Sequence, residues 1–236
     1  MSIDAPVHPW ALWQLLLTLP SWILHRGYPP ELDHPRLSVR LLRMTIVTFL
    51  LGFSAGWAYV GLRLLTGYSG LRGYLPEFIY VLISCCYSGL CFGVIVLVPL
   101  SRWQSRNWWW TAAAVPVSAV VHHLLFSFLI PWVATQPSWV YDLLAGTIGG
   151  FGIALWMIPP VNLRALGFML LTVAVGIAGC FASHDLLNNL MGDFGDFGVM
   201  ATLVGYLQQA NLYWPFNSLV AMVLGWELAT NPRYRQ

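Results

Sequence analysis

The chain has no lysine; its 11 basic residues are all arginine. Retinal and pyridoxal phosphate attach through a lysine amine, so neither can be covalently bound here. A phosphate-binding loop ending in GK[ST] is excluded on the same ground. Charge of either sign is scarce, at 8% of 236 residues. A soluble domain carries about a quarter charged residues and needs them to clothe its surface. Cys85, Cys86, Cys91 and Cys180 all fall in apolar runs, with no CxxC pair and no Cys/His cluster of zinc spacing. No structural disulfide is expected, because membrane-buried cysteines usually behave as small hydrophobes. The first residues hold Asp4, Pro6 and Pro9 without a basic run, so the first span, rather than a cleavable leader, is expected to act as the targeting signal.

What the chain has instead is hydrocarbon: 58% of its residues are apolar. The expected fold is all-α, a polytopic transmembrane bundle whose solvent is lipid. Uncharged runs of spanning length cover 44–62, 78–101, 107–130, 143–163, 165–183 and 197–226, which makes six spans. The last is long enough to tilt, or to kink at Pro215. Trp10–Leu24 is shorter and contains Pro20; Gln14, Thr18, Ser21 and His25 share one face. That pattern predicts a helix over 10–25 lying in the membrane interface. A re-entrant or seventh spanning segment is the alternative. The organisation expected is a cytoplasmic N-terminus over 1–37, a membrane domain over 38–228 and a cytoplasmic tail over 229–236.

Orientation follows from arginine. Arg26, Arg36, Arg40, Arg43, Arg102, Arg106, Arg164, Arg233 and Arg235 fall on one side of a six-span arrangement, and only Arg63 and Arg72 on the other. Basic loops stay in the cytoplasm, so both termini are expected inside, in a bacterial inner membrane. Basic residues this few, sorted by side, do not form a nucleic-acid surface. They could instead touch anionic lipid. Glycines at four-residue spacing (Gly52/Gly56, Gly89/Gly93, Gly146/Gly150), with Gly176/Gly179 less strictly, predict close helix packing or self-association. Trp108, Trp109, Trp110, Trp132 and Trp139 fit interfacial belts.

Polar groups inside a bilayer are costly and usually face protein or water. The candidates for a cavity or binding site are Glu77, His122, His123, Asp142, His184, Asp185, Gln208 and Asn211. His122 lies ~12 Å below the outer end of its span at 1.5 Å per residue, and Gln208 is similarly deep. One outward-facing polar cavity with an acidic mouth would use them together. The plainer alternatives are interfacial charges favoured by helix dipoles and polar side chains joining helices. His184 and Asp185 with Asp193 and Asp196 offer ligands suited to a divalent ion, but an Asp-rich loop is ordinarily a solvated turn. Haem is disfavoured, because His122 or His123 finds no second imidazole at matching depth. Gly52–Gly56 spells GxSxG but lies within a span, where no nucleophile elbow can form. The doubled Asp-Phe-Gly at 193–198 reads as a turn.

Three functions remain. With short loops and no catalytic constellation, an accessory or interaction subunit of a larger membrane complex ranks first. A small transporter or channel ranks second, and an enzyme acting on a lipid-linked substrate third.

Overall fold

A computed structural model describes Ser21 and residues 24–67, 73–133, 137–158, 162–194 and 214–234. For residues 77–78, 80–82, 84–85, 122–133, 138 and 184–194 it gives the helix alone. The expected interfacial helix over 10–25 falls almost entirely outside the described residues. Among the described residues the chain is all-helical, with no strand.

The helices are α1 (Leu37–Leu65), α2 (Glu77–Phe92), α3 (Val98–Trp103), α4 (Trp108–Val133), α5 (Ser138–Met157), α6 (Leu163–Phe194) and α7 (Trp214–Thr230). A π-helical turn, Gly93–Leu97, joins α2 to α3 in one continuous rod. Pro99 lacks an N–H and cannot bond the carbonyl four residues back, and such a break in the ladder is a usual site for a wider turn. Chain neighbours pack side by side around the bundle, and α7 then lies against both α6 and α1, so six rods close into a ring.

Four helices are long and apolar enough to cross a membrane among the described residues. They are α1, the α2–α3 rod over Cys86–Trp103, α5 over Trp139–Met157 and α6 over Leu163–Ser183. Their outer faces carry Leu42, Trp57, Leu90, Val94, Ile148, Phe151, Leu155, Leu166 and Leu170, all exposed. So broad an apolar surface suits lipid and not water. No residue of α7 is exposed, whereas α6 turns much of its surface outward.

The glycine pairs set the helix contacts. A Cβ on Gly52 would sit 2.5 Å from the Asn217 carbonyl oxygen of α7, and one on Gly56 would sit 2.7 Å from Trp214. Gly89 and Gly93 face Ala119 and Val115 of α4, while Gly146 and Gly150 face Ile177 and Val173 of α6. Gly179 meets Phe216 of α7. These faces, which could have served self-association, are therefore occupied by the chain's own helices.

Two boundaries differ from expectation. α5, the expected fourth span, ends at Met157, short of Leu163, with Ile158 extended (φ −118, ψ 98). Ile158, which precedes Pro159, is pushed out of helical geometry, although the run stays apolar. α6, the expected fifth span, runs on to Phe194, so Asp185 and Asp193 lie on it and not in a loop. Leu186, Leu187, Leu190 and Met191 keep the helical repeat of apolar residues going. Charge ends the apolar span there but not the helix.

Candidate functional site at the basic end of the bundle

Three helices end and three begin at one end of the ring. The C-terminal ends of α3, α5 and α7 meet the N-terminal ends of α1, α4 and α6 there. The last carbonyls of a helix have no partner within it and carry partial negative charge. Arginines fill that role here. Arg40, only 6% exposed, donates from Nε to the Ala229 carbonyl (2.8 Å) and from Nη1 to the His34 carbonyl (2.7 Å). Asp33 lies 3.7 Å from the same guanidinium. Arg106 donates to the Trp156 carbonyl (3.0 Å) and the Met157 carbonyl (2.8 Å), and Gln104 adds a bond to Met157 (3.2 Å). Arg164 donates to the Thr230 hydroxyl at 2.6 Å.

Residues 24–36 lie across this end as a strap. The Gly27 N–H donates to the Arg102 carbonyl (2.8 Å), and Arg102 returns a bond to the Leu24 carbonyl. Gly27 has φ +95, a conformation that glycine adopts without a Cβ penalty. Leu32 is fully buried in the main core, and Arg43 bonds the carbonyls of Glu31 and Asp33.

Beside the strap is a cleft between the start of α6 and the end of α7. Its volume is about 40 Å3, and its walls include Asn162, Arg164, Glu227, Asn231, Arg233 and Tyr234. Asn162 caps α6, its Oδ1 accepting the Ala165 N–H at 2.8 Å. Glu227 is 4% exposed. Its Oε1 accepts from Asn231 Nδ2 at 2.7 Å, while its Oε2 has no hydrogen-bond partner. Arg106 and Arg164 flank this carboxyl electrostatically. Arg106 also lies over the Trp110 ring at 4.9 Å, and Trp110 stacks on Trp156 at 4.0 Å. Burial lowers the Arg106 pKa, with Tyr234 and then Glu227 pulling the other way. A guanidinium starts so high that it stays charged. Burial, and next the Glu227 charge, push the Tyr234 hydroxyl up, while Arg106, which donates a hydrogen bond to it, acts in the opposite direction.

Of the residues singled out in the sequence, Asp142 is the one whose side chain is described. It is 5% exposed in the first turns of α5, near enough to Cys180 of α6 to interact electrostatically. Glu77 begins α2, His122 and His123 lie on α4, and His184, Asp185 and Asp193 lie on α6; their side chains are outside what is described. Gln208, Asn211 and Asp196 lie outside the described residues. No group of three His, Cys, Asp or Glu side chains that could hold a metal occurs among the described residues. The sequence reading missed Glu227 and the cleft. One signal was available: an acid in the last turn of a helix opposes the helix dipole and needs compensation from neighbours.

Fold and site together define an apolar helical bundle of membrane-protein type with an arginine-tied end. Comparison with protein-family models, curated proteins and solved structures returns no match.

Proposed function

We propose that the chain is a six-pass inner-membrane protein, with both termini in the cytoplasm, that serves as an accessory subunit of a larger membrane complex. The carrying observation is the architecture of the basic end. Arginines there bind helix ends and strap to one another, so the described contacts at that end are structural ties. Arg26, Arg36, Arg164 and Arg233 remain exposed on that face, as suits a cytoplasmic surface. With the glycine faces used internally, a partner would meet the exposed apolar flanks of α5 and α6. The test is purification in mild detergent of a chain tagged at both ends. The expected result is a stoichiometric partner in the eluate and cytoplasmic readout from both tags. A chain that elutes alone at every detergent strength, or tags reporting opposite compartments, would overturn the reading.

Asp142 favours a second reading, a small transporter or channel. A carboxyl buried between two membrane helices is costly and is often kept for ion movement. Under this reading Asp142→Asn abolishes ion-driven flux in liposomes while leaving folding intact. Liposomes with wild-type protein that show no flux of protons or alkali cations would remove it.

A further inference from the structure

We infer that the cleft between α6 and α7 is a binding site for a phosphoethanolamine zwitterion, the head group of an aminophospholipid. The inference needs only that this end lies at a membrane surface, not that the chain has a protein partner.

Two kinds of wall meet in the cleft. One is basic: Arg164 at the start of α6 and Arg233 just past α7, both exposed, with the capped N-terminus of α6 between them. Guanidinium groups and first-turn N–H groups suit a phosphate. The other wall is acidic: Glu227 is nine-tenths buried, with one oxygen held by Asn231 and the other unpartnered. A buried carboxylate oxygen without a hydrogen-bond donor is costly; Arg106 and Arg164 act on it electrostatically but donate to Met157 and Thr230 instead. A ligand that was only anionic would be repelled by Glu227, and one that was only cationic would be repelled by the arginines. Ethanolamine phosphate carries an ammonium two carbons from its phosphate and meets both walls at once. Its three N–H donors can supply the bond that Oε2 lacks after a small turn of the side chain. A trimethylammonium offers no N–H with which to meet that oxygen. A bundle seated in a bilayer puts this end at head-group depth, where arginine meets lipid phosphate.

The test uses the full chain, delipidated in detergent and titrated with phosphatidylethanolamine, phosphatidylglycerol and phosphatidylcholine, with native mass spectrometry as readout. Soluble phosphoethanolamine is titrated in parallel by calorimetry. Phosphatidylethanolamine is expected to be retained about tenfold better than either other lipid, the difference one charge-assisted hydrogen bond can make. Glu227→Gln should erase that preference and, by removing the repulsion, raise phosphatidylglycerol binding. Arg233→Gln, at an exposed position that does not threaten the fold, should weaken all the phospholipids alike. Binding of soluble phosphoethanolamine alone, with the same dependence on Glu227, would assign the site to a free zwitterion. Equal retention of all three lipids without binding of soluble phosphoethanolamine, or a preference that survives Glu227→Gln, overturns the inference.

Discussion

Gly52→Val is expected to lower the melting temperature of the protein markedly, while Gly61→Val on the same helix is expected to behave as wild type. A Cβ at Gly52 would lie 2.5 Å from both the Asn217 oxygen and the Ser218 Cα. Those are backbone atoms of α7 and cannot rotate away, so α1 and α7 would have to separate. Separation would also break the bond from Trp226 Nε1 to Thr45 Oγ1 (2.6 Å) and expose the neighbouring packing of Gly225 against Thr48. Overpacking against rigid backbone costs about 3 kcal/mol or more. In a chain of this length that is a loss of roughly 6–12 °C in melting temperature. At Gly61 nothing lies within 4 Å of the added carbon. Thermal unfolding in detergent, followed by tryptophan fluorescence, separates the two variants. Equal melting temperatures for both would show that α1 and α7 do not approach as described.

The second large effect is expected at Arg106. Its side chain closes the end of α5 through two carbonyls, lies over Trp110 and reaches Tyr234 beyond α7. It thus joins the loop before α4 to α5 and to the C-terminal segment. Arg106→Met keeps the aliphatic stem but removes the side-chain donor to the Trp156 carbonyl and leaves the Met157 carbonyl with Gln104 alone. Hydrogen bonds to charged groups and compensation of a helix dipole together suggest a loss of about 2–4 kcal/mol. The melting temperature should fall by roughly 5–15 °C. Arg106→Lys should restore only part of it, because an ammonium lacks the planar fork that serves two acceptors. A methionine variant as stable as wild type would show that the arginine merely sits at the surface.

Much of this architecture was legible in sequence because lipid imposes simple rules. Long uncharged runs located the rods, and Gly52/Gly56, Gly89/Gly93 and Gly146/Gly150 marked close approaches that occur between particular neighbours. Hydropathy was a poor guide to where helices stop. It could not see that Pro159 and Pro160 would end α5 inside an apolar run, or that α6 would continue past His184. The cleft was hidden for a different reason. Each of its arginines looked like a topology signal by itself, and Glu227 stood one residue beyond the uncharged run ending at Trp226. Only the fold shows that the loop before α6 and the segment after α7 share a wall, because their meeting depends on ring closure.

The seclusion of α7 bears on the order of assembly. α7 leaves the ribosome after α1–α6 and, among the described helices, is the one most enclosed by the others, packed between α1 and α6. Until it arrives, the earlier rods can form only an open horseshoe, with Gly52 and Gly56 bare to lipid. Closure of the ring therefore waits on α7. A chain shortened before Trp214 would leave an unfilled slot along its whole height, a ready mark for membrane proteolysis.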